Sequence, residues 1–409
     1  MASLPVNENR FIPAFTFSSA VYAIISPYLS LMVRNLGYST ALIGILLGIF
    51  EGAGIAGPLV FGYLADRKGK YRLLLIVTCI IPAVIAFPIA YLIHPLASAL
   101  LLALLAFGFK SNVSLLDAVT TIQIGPTGNY GKIRVWGSIG FVITTLYLQW
   151  TPVFQPVSAV NIAFWIMLIS AALIVPVLIL PLSSRGISVI EKPVKNNKAG
   201  KIDKSSRESR PGGKKILTVY FIAGFILIFF SRLSMAAFYT YFPLYLTEAI
   251  QWNAIGFMFA LATSTEIPCI FFSKLLIRRF GSLPLLALSA LAVCIRLMLW
   301  ALFPIKPIIV AAQLLHSLCF GFYYPAAIDF ISRVFPPEKR GVGMSVFLAL
   351  GSGLSALIGN MAGGVIVDAA GYRSLFAIYA AVSGAAVLVY GVLRLLAPGT
   401  SVIIKTIEE

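Results

Sequence analysis

Gly62-Tyr63-Leu64-Ala65-Asp66-Arg67-Lys68-Gly69-Lys70-Tyr71-Arg72 packs an aspartate, two glycines and four cations between two long apolar runs. If those runs cross a membrane, the stretch is a tight hairpin at the membrane surface. Gly69 supplies the turn, where positive φ costs a glycine nothing sterically. Gly62 lets two helices approach closely. Asp66 hydrogen-bonds or pairs across the loop, and Arg67 and its neighbours hold the loop on the cytoplasmic side.

The surrounding chain meets that demand. Of 409 residues, 59% are apolar and 11% charged, with a mean hydropathy of +0.95. A soluble domain carries about 25% charged residues. So little charge cannot cover a soluble surface of this size, so the chain is predicted to be a polytopic, all-α membrane protein embedded in a lipid bilayer. The net charge of +17 lies mainly in loops. It therefore reads as topology, and nucleic acid is not an expected partner. Cys79, Cys269, Cys294 and Cys319 all fall inside apolar segments without metal-ligand spacing. They read as small core hydrophobes, and no disulfide framework, metal or cofactor is expected. A cleavable leader is not expected either, because the first apolar segment is too long and lacks a clear cleavage site.

A membrane-crossing helix needs about 20 apolar residues. Twelve segments qualify: 11–33, 41–65, 73–93, 97–122, 133–152, 160–181, 216–246, 253–277, 283–303, 307–332, 342–366 and 372–396. Residues 183–215 differ, being rich in Lys and Arg with no aromatics, and read as a flexible linker. The predicted domains are an N-terminal six-helix bundle (1–182), this basic cytoplasmic linker (183–215), a C-terminal six-helix bundle (216–396) and a cytoplasmic tail (397–409). Cations gather after helices two, four, eight and ten, which places both termini and the linker in the cytoplasm and the protein in the cell (inner) membrane. The halves repeat weakly. Arg279-Phe280-Gly281 lies 212 residues after Arg67-Lys68-Gly69, and the same shift carries Asp117 onto Asp329. Twelve spans, a basic central loop, the Gly62–Arg72 stretch and its echo together resemble the major facilitator superfamily. In that fold two six-helix halves enclose a central cavity, and Gly62, Asp66, Arg67 and Gly69 stand where the family has its conformational latch.

Ionisable residues inside membrane segments mark function, because each is penalised by roughly 2.5–3.5 kcal/mol at mid-bilayer. This chain has Glu51, Lys110, Asp117, Arg134, Arg232, Glu266, Arg296, His316 and Asp329. Lys110 and Asp117 are seven apart and share a helix face. The expected pairs are Asp117 with Arg134 and Glu266 with Arg296. His316, with an ordinary pKa of about 6.5, is the side chain best suited to exchange a proton near neutral pH. Tyr239 and Tyr324, among several tyrosines of helices one, seven and ten, suit a ring-shaped solute. Pro27, Pro243 and Pro325 are expected to break those three helices beside the cavity.

Leu115-Leu116-Asp117-Ala118, followed by Tyr130-Gly131-Lys132-Ile133-Arg134-Val135-Trp136-Gly137-Ser138-Ile139-Gly140-Phe141, resembles the hallmark of the phenylpropionate-permease-like and nucleoside:proton symporters, relatives of lactose permease. Gly131 reads as the end of the loop, and Gly137 with Gly140 as a site of close helix contact. The resemblance implies that Asp117 and Arg134 bind solute as a helix-four acid and helix-five arginine. It also makes Glu266 the helix-eight acid, Arg296 the helix-nine arginine and His316 the helix-ten histidine. The permease's proton-carrying glutamate corresponds here to Cys319, and Arg232 stands on helix seven where the permease has acids. The proton carrier is then Glu266, with Asp329 and Glu51 next.

The expected function is secondary active transport by a monomer, importing a small polar organic solute (a sugar, nucleoside or aromatic carboxylate) with a proton by alternating access. The solute would meet Asp117, Arg134, Glu266, His316, Tyr239 and Tyr324. Glu266, His316, Arg296, Asp329 and Glu51 would serve proton coupling. The alternative is an exporter or antiporter of amphipathic compounds in the same fold, which the aromatic content permits. An enzyme is not expected, because no second histidine or nucleophile is spaced to act with His316.

Overall fold

The computed structural model describes residues 7–124, 130–155, 157–182, 213–335 and 340–396. Most of the basic linker, the tail and the loop between helices four and five therefore lie outside the described residues. Among those described the chain is helical, without strands. The first six helices are α1 (Ile12–Arg34), α2 (Thr40–Lys68), α3 (Tyr71–Tyr91), α4 (Pro95–Ile124), α5 (Tyr130–Trp150) and α6 (Ala159–Leu178). Local chemistry sets several ends. Ser39 Oγ accepts from the Leu42 N–H at 3.3 Å, capping α2. Gly69, at φ 63°, closes the same helix by donating its N–H to Ala65. Ser158 caps α6 in the same manner.

In the second half, α7 begins at Gly213 and runs to Ala236, then continues through π-helical turns at Ala237–Tyr241 and Tyr245–Ala249 on either side of Phe242–Leu244. α8 (Ile255–Phe280) contains Pro268 and bends by 59° between Ile255–Cys269 and Phe272–Phe280. α9 is Ser282–Leu302. α10 comes in three pieces, Lys306–Leu314, His316–Gly321 and Tyr323–Val334. α11 runs from Arg340 through a π turn at Ala349–Leu354 to residue 370, and α12 covers 372–396; Gly371, at φ 80°, separates them. Nine helices among the described residues are long and apolar enough to cross a membrane, and bent α8 makes ten. The nine count α11 and α12 as one run, and α5, with Lys132, Arg134 and Gln149, is not among them.

The proline expectation holds in two helices and fails in one. α7 loses regular α geometry around Pro243, and α10 breaks just before Pro325. α1, by contrast, stays an α-helix across Pro27. Gly131 lies in the first turn of α5 and does not end a loop.

In the first half α1 packs on α5 and α6, α2 on α4, and α3 on α4 and α6. In the second half α7 packs on α11 and α12, α8 on α10, and α9 on α12. The halves meet where α2 crosses α11 and α5 crosses α8. Advancing each number by six exchanges these two crossings, as a pseudo-twofold arrangement requires. Both crossings bring backbones together at glycine: a Cβ on Gly364 would lie 2.5 Å from the Thr40 carbonyl oxygen and 2.9 Å from Ala41 Cα. One apolar core runs through the first half and across to the ends of α7–α12 remote from the Gly62–Arg72 loop. A smaller one, around Tyr220, Phe330 and Phe347, fills the second half at the loop end.

Polar bonds join the halves at the end remote from that loop. The Arg34 Nε and Nη2 donate to Glu248 at 2.5 and 2.8 Å, and the Tyr372 hydroxyl donates to the same carboxylate at 2.6 Å. Asp368 accepts from the Thr40 and Ala41 N–H groups at 3.1 and 2.8 Å, supplying an anion to the N-terminus of α2. Gln149 donates to the Asn253 carbonyl and accepts from the Gly256 N–H. In this conformation the far end is closed.

Candidate functional site

Between the halves lies a cavity of ≈ 120 Å³, lined by Tyr22, Ser26 and Ser30 of α1, Phe50 and Glu51 of α2, Phe109 and Lys110 of α4, Arg232, Tyr239 and Thr240 of α7, and Asn360 of α11, with three apolar residues. Glu51 Oε2 accepts from Lys110 Nζ at 2.7 Å. The bond is possible because residue 54, one turn beyond Glu51, is glycine: a Cβ there would collide with the Lys110 stem. Lys110 therefore reaches across to α2, although it shares a helix face with Asp117. Tyr22 stacks on Phe109 at 5.9 Å between centroids. Arg232 lies 4.9 Å over the ring of Tyr239.

A second polar group is buried in the other half. Glu266 sits at the wall of α8, its side chain 13% exposed, and its Oε1 is 2.6 Å from His316 Nε2. His316 is placed at the break in α10, directly after Leu315. Behind it, Arg296 Nη1 lies 2.7 Å from His316 Nδ1, and Arg296 Nη2 donates to Gln313. Arg296 is sandwiched by Phe238 at 4.1 Å and Trp300 at 4.6 Å. These geometries fix the tautomer. A guanidinium can only donate, so Nδ1 accepts, the imidazole is neutral, and its proton is on Nε2, donated to Glu266. While Arg296 holds Nδ1, His316 has no free nitrogen for a second proton.

The third group lies nearer the Gly62–Arg72 end. Asp117 Oδ1 accepts from the Tyr130 hydroxyl at 2.6 Å. The expected ion pair with Arg134 is absent among the described residues. Arg134 is exposed and its guanidinium lies 6.0 Å over Phe15. Tyr130, four residues before Arg134, reaches Asp117 first. Arg134 nonetheless lies within electrostatic reach of Asp117 and, across the crevice, of Glu266. Tyr324, 41% exposed, stacks on Phe320 and is near Asp117 and Arg134.

Other expectations are redistributed. The expected Glu266–Arg296 pair is interrupted by His316. Asp329 is held by Arg333 of its own helix at 2.6 Å, at i,i+4 spacing, and stands apart from the Glu266 group. In the loop, Asp66 accepts from the Tyr71 hydroxyl at 2.7 Å, Arg67 donates to Tyr63, and Arg72 donates to the Leu180 carbonyl at 2.7 Å. Gly62 does not mediate close helix contact here, because a Cβ there would meet nothing within 4 Å. Gly140 does, against Thr16. The four cysteines are free, Cys79 and Cys319 being buried. The residues that sequence reasoning missed, Gln149, Asp368 and the Arg34–Glu248 pair, are polar groups at helix ends. For Arg34, Glu248 and Asp368 the signal was present as the sparse charges of the remote loops, whereas neutral Gln149 gave none, and nothing in one sequence shows which ends touch.

The MFS_1 like family model matches residues 13–378. The uncharacterized transporter YwbF of Bacillus subtilis is 26% identical over 98% of this chain and 93% of its own length. The maltose permease of Geobacillus stearothermophilus is 26% identical over 88% of this chain and 86% of its own. Among solved structures, the nucleoside transporter NupG superposes with a TM-score of 0.73 at 16% identity, covering 94% of this chain and 98% of that one.

Proposed function

The chain belongs to the MFS_1 like family of membrane transporters, and from that premise we propose that it imports a small polar organic solute together with a proton, by alternating access between its two halves. The observation that carries the coupling is the Glu266–His316–Arg296 chain at the crevice wall. Of its three members, Glu266 is the most exposed, its side chain 13% exposed against 3% for His316, and it alone has a free acid–base choice. His316 is held neutral by its donor, and Arg296 stays cationic between two aromatic rings. An ionised Glu266 attracts Arg134 on the opposite half and accepts the His316 proton. Protonation removes both attractions, so one proton alters the force between the halves.

Orientation follows from charge. The cations after α2, α4, α8 and α10 support a cytoplasmic loop end. The sealed end then faces outward and the crevice inward, in a monomer of the cytoplasmic membrane. The relatives' names support a polar solute: one is a maltose permease and one a nucleoside transporter. The test is uptake in proteoliposomes from a panel of sugars, nucleosides and aromatic acids, with and without an imposed pH gradient, alkaline inside. At least one solute is expected to accumulate only with the gradient. Equal accumulation in both conditions refutes proton coupling.

A further inference from the structure

Arg232 brings into the central cavity a cation that forms no direct ion pair among the described residues. It enters from α7, one turn before the π-helical segment that carries Tyr239. Its Nη1 is enclosed, yet has no hydrogen-bond partner. The carboxylate sharing its cavity, Glu51, is held by Lys110 at 2.7 Å. Glu266 is held by His316. Among the described residues Arg232 forms no ion pair. A half-buried cation without a direct ion pair is under-satisfied, and a guanidinium presents a planar fork of donors matched to a carboxylate. A carboxylate brought into the cavity would supply the missing acceptor. Beside the fork stand two flat faces, Tyr239 under the guanidinium and Tyr22 stacked on Phe109.

We propose that Arg232 is the anion-binding residue of the transport site, and that the solute is a small organic monoanion. Its carboxylate takes the Arg232 fork, and its planar body lies against Tyr22 and Tyr239. The proposal rests on the transporter reading and names its substrate class. A carboxylate entering with one proton on Glu266 brings no net charge into the crevice.

The test is ligand-induced thermal stabilisation of the purified full-length protein in detergent. The probes are benzoate, phenylacetate and nicotinate, each against its neutral amide. At least one acid is expected to raise the unfolding temperature, and its amide is not. Arg232→Gln should weaken binding of that acid by roughly 30-fold or more, the scale of a lost charge-assisted bond. Arg232→Lys, which keeps the charge but not the fork, should retain part of it. The acid–amide comparison on the unaltered protein needs neither variant to fold. Failure of every acid, equal binding of acid and amide, or unchanged acid binding in Arg232→Gln overturns the proposal. Acid binding that depends on Arg232, with uptake indifferent to the pH gradient, leaves this proposal standing and refutes proton coupling. Gradient-driven uptake of neutral solutes alone does the reverse.

Discussion

At the scale of single residues, the informative geometry is the chain from Arg296 through His316 to Glu266. Arg296 can only donate, so His316 is neutral and Glu266 becomes the group with a choice. Glu266→Gln keeps an acceptor for the His316 N–H and removes the ionisation. Solute exchange between equal pools should persist, while accumulation driven by a pH gradient should fall at least tenfold. Measured side by side in proteoliposomes, an equal loss of both activities would show that Glu266 only binds or folds. The sequence showed which residues were buried charges and which shared a helix face. It did not show the neighbours. Lys110 and Asp117 lie on one face, yet Lys110 turns to Glu51 through the groove at Gly54, and Asp117 is taken by Tyr130. Pairing is decided by which helix packs opposite, a property of the assembled bundle that no single helix encodes.

At the scale of elements, all twelve apolar segments correspond to helices, because about 20 apolar residues between charged loops leave the backbone little alternative in lipid. Their irregularities were less legible. Pro243 lies between π turns and Pro268 just before a 59° bend, whereas Pro27 leaves α1 helical. A proline removes one donor, and whether the helix then breaks depends on its neighbours. Glycine crossings carry a sharper consequence. At Gly364 a side chain would meet backbone atoms of Thr40 and Ala41, which cannot turn aside. Gly364→Leu should therefore hold α2 and α11 apart at the sealed end. Overpacking costs about 1–3 kcal/mol, enough to shift the conformational ratio by roughly 5- to 150-fold toward an outward-open state. In a cysteine-free background, Ser30→Cys in the cavity wall should react faster with an impermeant thiol reagent added outside when Gly364→Leu is present. An unchanged rate would mean the crossing does not govern closure.

At the scale of the whole molecule, the two ends of the bundle are built differently: one is bonded between the halves and the other within a half. The far end is closed by bonds between halves, among them Arg34–Glu248 and Asp368 on the α2 terminus. Arg34 and Glu248 are each about a third exposed, so the pair is worth roughly 0.2–1 kcal/mol. Glu248→Gln should then change that same thiol reactivity by no more than about fivefold. The Gly62–Arg72 stretch, which first identified the fold, makes its bonds within one half: Asp66 to Tyr71, and Arg72 to the end of α6 at Leu180. None of these bonds reaches the crevice. Asp66→Asn keeps an acceptor for the Tyr71 hydroxyl but removes the negative charge from a loop crowded with Arg67, Lys68, Lys70 and Arg72. The first half should still fold and still bind solute, while the rearrangement at its corner becomes slower. The expected outcome is initial uptake reduced several-fold, with equilibrium binding of the same solute changed by less than about twofold, since the Asp66 bond lies within one half and outside the cavity. Uptake and binding measured on the same preparation decide the matter. A tenfold loss of affinity would place Asp66 in the binding machinery and end the proposed distinction between a loop that governs the rearrangement and a cavity that binds the solute.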